Sequence, residues 1–444
     1  MTPFGFTPDG TSDDGADGSP DFAAMMQQMQ EQIREQFEKM GMSPMGLGGP
    51  FTDLNKGATQ EVLPQKIVRD TAKNVVAANG SAPIGTKDVT VVKNATEIAD
   101  LWLNEATAFP AISGAQHLLA LSRHDWVDST LTGWQATIEP LALGLTNAIT
   151  ELLDQATASG AAMEVQVEGS PAVSIGAIGA VLRSFIGTMI ATQLGQSIGS
   201  LAHTVTGAHD VGLPLLEPAR PILIPENVDA WGKDLEIPAS EIYLFHALRE
   251  GSVARLFAHN PWLVAYMRTA IVEYGKGIHI DIEAIARQAQ GVFEEMQSAQ
   301  PAENAEQFSI TLDSGVFTPA ETPTQRAALK KLETVLALID GWAEEVTTIA
   351  AAERLPAMAS LQETLRRRRA TCAPSQQLFS SLLGLHVSPK LSREASAFWQ
   401  KIREVSGVSE RDQIWSGILP TAEDLLTPED YLSSIKIPDD LSGL

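Results

Sequence analysis

Cysteine is all but missing from this chain: of 444 residues, only Cys372 carries a thiol. A single thiol closes no internal disulfide and builds no thiolate cage for a structural zinc, and it fits a reducing compartment. Positive charge is scarce too. Lys and Arg number 31 against 55 Asp and Glu, a net charge of -24 at pH 7. A surface that negative repels phosphate backbones and anionic headgroups, so neither nucleic acid nor membrane is expected as a partner. Long apolar runs are absent as well. The best candidate, 171–202, is interrupted by Arg183, Gln193 and Gln196 before about 20 apolar residues accumulate. No basic residue stands before Arg34, which a secretory leader would need. These absences together point to the cytoplasm. The chain has no Walker loop, and no Gly-x-Gly-x-x-Gly follows a strand, so nucleotide cofactors are not expected.

What is present is mostly helical pattern. Residues 1–60 read as a largely disordered arm that carries one amphipathic helix over 22–40. There Phe22, Met26, Met29, Ile33, Phe37 and Met40 fall on one face. A methionine-rich face of this kind can pack on its own core or dock on a partner. From about Glu61 the periodicity is helical almost throughout, as expected of a single helical domain over 61–444. Short strands are expected at 163–169, 222–224 and 307–315. Thr322, Pro323 and Gln325 form a helix start, with an N-cap, a first-turn proline and a capping-box partner. Gly187, Ala191, Gly195 and Gly199 recur every fourth residue and make a smooth helix face for close packing.

One helix carries a chemical pattern. In "FHALREGSVARLF", residues 245–257, the spacing is that of His-Glu-x-x-His. That motif sets two imidazoles one turn apart on a zinc ion and places a glutamate to activate the bound water. Glu250 stands where the glutamate belongs. Arg249 and Val253 stand where the histidines would be, and neither offers a lone pair. His246, one turn before Glu250, is the nearest imidazole. Pro238–Ser240 can start this helix and Asn260-Pro261 must end it.

Other constellations compete less well. "GQSIG", 195–199, matches the Gly-x-Ser-x-Gly elbow, with Asp210 and His386 later in the chain, but its flanks are helical where the elbow needs a strand. His203, His209 and Asp210 suggest a metal cluster, against which a capping or hydrogen-bonding role for Asp210 is preferred. Arg366–Arg369 point all round a helix and make no flat patch; pairing with acids is expected.

Over most of its length the chain resembles an actinobacterial family of zinc-dependent metalloproteases or hydrolases with a zincin-like motif, a sister branch of which is linked to deazaflavin-cofactor biosynthesis. The resemblance runs through "PFGF", "LWLNEATAFPA", "RHDWVDSTLTGW", "GAHDVGLPL", "FHALREGSVARLFAHNPWL", "EYGKGIHID", "LALIDGWAEEV", "LRRRRA", "LFSSLLGLHVSPK" and "RDQIWSGILPTAEDL". It implies a mainly α zincin-like domain with a few strands near the site helix. In active relatives it implies zinc, with an acid before Gly-Trp, here Asp340, as third ligand. The pattern there is His-Glu-x-x-His or a variant whose first residue is arginine, so this chain departs at the second histidine, Val253, and at the first, Arg249, only against the all-histidine form; no metal or other cofactor is expected. In place of the metal, Arg249 is expected to pair with Asp340, Glu250 or both, with Gly341 allowing the two helices to approach. The leading expectation is a degenerate member that binds a peptide or protein. The alternatives are a metal-dependent hydrolase with Glu250 as general base, and an assembly protein docking through 22–40.

Overall fold

Prolines and caps set many of the helix limits. The computed structural model describes residues 61–112, 120–158, 175–277, 322–371, 373–383 and 391–435. Apart from Ile175, these belong to one unit, 61–162 and 176–444; a second unit comprises 1–60 and 163–175. The amphipathic stretch 22–40 and the alternating stretches 163–169 and 307–315 lie outside the described residues. The helices are α1 (Gln65–Asn79), α2 (Thr86–Ala106), α3 (Arg123–Ala158), α4 (Ile175–Leu201), α5 (Pro225–Gly232), α6 (Ala239–His259), α7 (Pro261–Lys276), α8 (Pro323–Ala351), α9 (Met358–Thr371), α10 (Pro374–Leu383), α11 (Ser392–Ser406), α12 (Val408–Gln413) and α13 (Pro428–Ile435). None of the described helices is long and apolar enough to cross a membrane.

The fold is mainly α, as the periodicity implied. The strand expected at 222–224 is a correction: among the described residues there is no strand, only isolated bridges at Leu223. Leu223 pairs in parallel with Ala120 and antiparallel with Gly207. Its carbonyl accepts from Leu121 N at 2.9 Å, and Ile224 N donates to Thr206 O at 2.9 Å. Prolines at 221 and 225 confine the extended stretch to three residues, too few to propagate a ladder.

The helix α6 lies at the centre. It begins just after Pro238 and stops before Pro261, the limits set by those two prolines. Every side chain from Ile242 to Phe257 is buried. A helix covered on all sides must carry its polar groups inside, paired with one another or with backbone. α2, α5, α7, α8 and α9 pack on it. α8 starts at the capping box: Thr322 Oγ1 accepts from Gln325 N at 3.2 Å and Gln325 Oε1 accepts from Thr322 N at 3.0 Å. Behind α8, Trp342, Trp399 and Trp415 form a buried aromatic stack, with ring centroids 5.2 Å apart for Trp399–Trp415. Trp399 Nε1 donates to Leu338 O at 2.9 Å and locks α8 to α11.

Glycines permit two of the close helix contacts. On α4, a Cβ at Gly195 or Gly199 would sit 2.5–2.8 Å from atoms of Val68, Thr71, Ala72 and Val75, so these glycines seat α4 on α1. Gly341 does not serve the contact expected of it. A Cβ there would lie 2.6 Å from Ser396 N, so this glycine seats α8 on α11 and has no part in bringing α8 to α6.

Candidate functional site

α6 presents His246, Arg249, Glu250 and Val253 to a cavity of about 40 Å³. α8 contributes Asp340, α9 contributes Arg369, and the loop after α4 contributes Thr206, His209 and Asp210. The four residues singled out from sequence, His246, Arg249, Glu250 and Asp340, therefore share one cavity, though not one bonding network.

Glu250 is 4% exposed and takes four hydrogen bonds. Oε1 accepts from Ala208 N at 3.0 Å, from Ile222 N at 3.2 Å and from His209 Nδ1 at 2.8 Å; Oε2 accepts from His209 N at 3.1 Å. One carboxylate thus fastens the 207–209 loop to the short extended stretch at 222. Gly207 is where it passes: a Cβ there would stand 2.4 Å from Oε2 and 2.9 Å from Ile222 O. Of the partners expected for Arg249, Asp340, Glu250 or both, Glu250 is not the one taken: its oxygens face backbone donors and His209. His209 was weighed only within a cluster with His203 and Asp210 and its pairing here was missed; nothing in its local sequence shows that Glu250 lies opposite it, 41 residues later.

Arg249 Nη2 donates to Asp340 Oδ1, so these two side chains do meet. The same oxygen accepts from Arg369 Nη1, and Arg369 Nη2 stands 3.7 Å from Asp210 Oδ1. Burial alone would raise the Asp340 carboxyl; the Arg369 and Arg249 charges outweigh it and hold the group down at about 2. Burial and the like charge of Arg369 lower Arg249, against the pull of Asp340. Burial also tends to lower Arg369, but Asp340 and Asp210 raise it on balance. Sequence reasoning missed Arg369, because four consecutive arginines give no sign of which one turns inward. The other three go elsewhere: Arg366 to Glu344, Arg367 to Glu363, and Arg368 to Trp231, whose carbonyl it bonds at 2.8 Å and whose ring it covers.

His246 Nδ1 lies 3.0 Å from Thr206 Oγ1. Asp210 Oδ2 accepts from both Thr206 N and Thr206 Oγ1, at 2.6 Å each. Asp210 therefore closes the 206–210 loop, a hydrogen-bonding role of the kind preferred for it. Asp210 is held below the usual carboxylate range, because Arg369, His246 and the Thr206 bonds outweigh the effect of burial. Burial lowers His246 to about 4, against the pull of Asp210. The Trp231 ring meets the imidazole edge-on, with centroids 4.7 Å apart.

The serine-elbow reading fails. Residues 195–199 lie inside α4, and Ser197 Oγ donates to Gln193 O at 2.9 Å, one turn back.

A zinc site needs several nitrogen, oxygen or sulfur lone pairs converging on one point. Among the described residues, no group of three or more His, Cys, Asp or Glu side chains is placed to hold a metal ion. Arg249 and Val253 have no lone pair to give, Glu250 is engaged by four donors, and two guanidiniums share one oxygen of Asp340. The residues present do not fit zinc.

A family model described as zincin-like metallopeptidase matches residues 65–432. No curated protein matches the chain. Among solved structures, one from Chloroflexus aurantiacus, described as "a putative hydrolase with a novel fold", is similar with a TM-score of 0.56 and 15% identity, over 84% of this chain and 98% of that one. At that identity the likeness speaks for the fold.

Proposed function

The chain belongs to the zincin-like metallopeptidase family, and we propose that it is a metal-free, catalytically degenerate member that uses its cavity to bind a peptide or protein. The observation that carries this reading is the guanidinium of Arg249 on Asp340. In the family pattern position 340 supplies a ligand and position 249 carries histidine or, in a variant, arginine; here the two side chains neutralise one another. A fixed positive charge where the motif would put zinc repels a second cation and fills its electrostatic role. Glu250 supports the same reading. A general base needs an oxygen poised to take a proton from water, and in Glu250 Oε1 already accepts three hydrogen bonds and Oε2 one, all from the backbone and His209. The Glu250 side chain works as an internal strut.

The test is metal analysis followed by peptide work. Untagged protein, purified without chelator, is expected to hold far less than one zinc per chain by plasma mass spectrometry. It is expected to leave a mixed peptide pool uncleaved by mass spectrometry and yet to retain part of that pool on gel filtration. One zinc per chain, lost with Asp340→Ala, or steady cleavage of the pool, overturns the reading.

A further inference from the structure

We propose that the cavity seats a primary ammonium group, the free N-terminus of a bound peptide. This inference rests on the peptide-binding reading above and adds to it which end of the peptide is recognised.

The hydrogen-bond directions come first. A carboxylate only accepts, so the Thr206 hydroxyl proton points to Asp210 Oδ2 at 2.6 Å. Oγ1 then has only lone pairs left for His246, and Nδ1 must carry the ring proton that it donates across 3.0 Å. Nε2 of His246 is therefore a bare acceptor. His209 is built the same way. Its Nδ1 donates to the Glu250 Oε1 carboxylate oxygen at 2.8 Å, which in the neutral ring leaves Nε2 as the acceptor. Both Nε2 atoms are buried and have no hydrogen-bond partner. The two residues are 3% and 4% exposed, and both line the cavity. Leaving a buried acceptor unmet costs about 1–3 kcal/mol, so two of them call for a donor.

Charge then selects the donor. Three carboxylates, Asp210, Glu250 and Asp340, line the cavity against two guanidiniums, Arg249 and Arg369. One negative charge is left over, which a monocation balances and an anion would double. An ammonium has three N–H donors. Two meet the imidazole lone pairs, and the third has Asp210 Oδ1, whose one ion pair among the described residues, to Arg369, is a long 3.7 Å. Size agrees. A cavity of about 40 Å³ holds about three water-sized groups, enough for an ammonium and its carbon. The histidine end is closed. The side chains of Asp340, Asp210 and Arg369 are 15–18% exposed, so the rest of the peptide leaves on their side.

The experiment compares triglycinamide with N-acetyl-triglycinamide and with a mixed peptide pool, by calorimetry on the full chain and by nitrogen NMR of the histidine rings. Triglycinamide is expected to bind and to shift the Nε2 signals of His209 and His246. His246→Phe is expected to weaken binding about tenfold, the loss of one charge-assisted hydrogen bond, and acetylation, which removes the charge and two of the three donors, about a hundredfold or more. Equal binding of the acetylated peptide, unmoved Nε2 signals, or binding by the pool without triglycinamide overturns the ammonium seat and leaves the peptide reading standing. Binding by neither probe nor pool overturns both. If His246→Phe fails to fold, the acetylation and NMR comparisons on the native chain decide the matter.

Discussion

Glu250 is the residue on which the competing readings divide. If it is a strut, Glu250→Gln puts an amide NH2 against N–H groups that already donate, those of Ala208, His209 and Ile222. At least one donor is then left unpaired inside the protein. The variant is expected to lose about 2 to 3 kcal/mol of unfolding free energy, measured by urea denaturation. An unchanged or raised midpoint would mean that the carboxylate is held against stability for chemistry. Gly207→Ala tests the same contact from the other side. Its Cβ would meet Oε2 at 2.4 Å, and overpacking of that kind costs about 1–3 kcal/mol. His246 makes a prediction in pH. Its imidazole titrates at about 4 when folded, against an ordinary 6.5. Between those values the unfolded chain binds the proton and the folded chain does not, so stability falls as pH drops from 6.5 toward 4. The size is on the order of 3 kcal/mol. Urea midpoints across that range, native against His246→Phe, should show the slope flattened in the variant.

Among the elements, α8 depends on its contacts on both sides. It places Asp340 against Arg249 and Arg369 on one side, while Gly341, the next residue, lets α11 close on the other. Alanine at 341 should gain about 1 kcal/mol of helix propensity. A Cβ 2.6 Å from Ser396 N should cost more than that, because backbone cannot swing aside as a side-chain tip can. Gly341→Ala is therefore expected to lower the melting temperature, and a rise would show that the α8–α11 contact is loose. Much at this scale was legible in the sequence. The capping box at Thr322 and the prolines at 238 and 261 mark helix limits because their physics is local. The meeting of Arg249 with Asp340, 91 residues apart, was also expected, from the family resemblance that marks Asp340 as a ligand position together with the charge that must replace a metal. What Gly341 touches was not, since a glycine advertises a close approach without naming the neighbour. Arg369 and His209 were illegible for the same reason: each acquires its role from a partner that only the packing of α6, α8 and α9 brings near. The stretch at 222–224 carries β-branched residues and was read as a strand. Its flanking prolines left it able to make only isolated bridges.

For the whole molecule, the buried charges should make stability sensitive to acid and, on the metal-free reading proposed above, indifferent to metal. Asp340 is held at about 2 by Arg369 and Arg249, below an ordinary carboxyl, so its contribution is complete above about 4 and is lost as pH falls from there toward 2. Its loss begins where that of His246 ends, and acid unfolding should be steep once both are protonated. Metal should do nothing comparable. A ligand that binds only the folded state raises stability with its concentration, and zinc would have to displace a guanidinium from Asp340 to bind there. Removing one member of a buried ion pair costs about 3–5 kcal/mol, which weak coordination by the remaining groups would not offset. Calorimetric melting with excess zinc, with chelator and with neither should give one temperature. Restoring the motif as Arg249→His with Val253→His is expected to lower that temperature when no metal is present, because Arg369 alone is left to hold Asp340. If zinc then raises the doubly substituted protein above the native melting temperature, the fold has kept a complete zinc geometry and only the two side chains have changed. If it does not, the packing around Arg249 has itself settled into the metal-free arrangement.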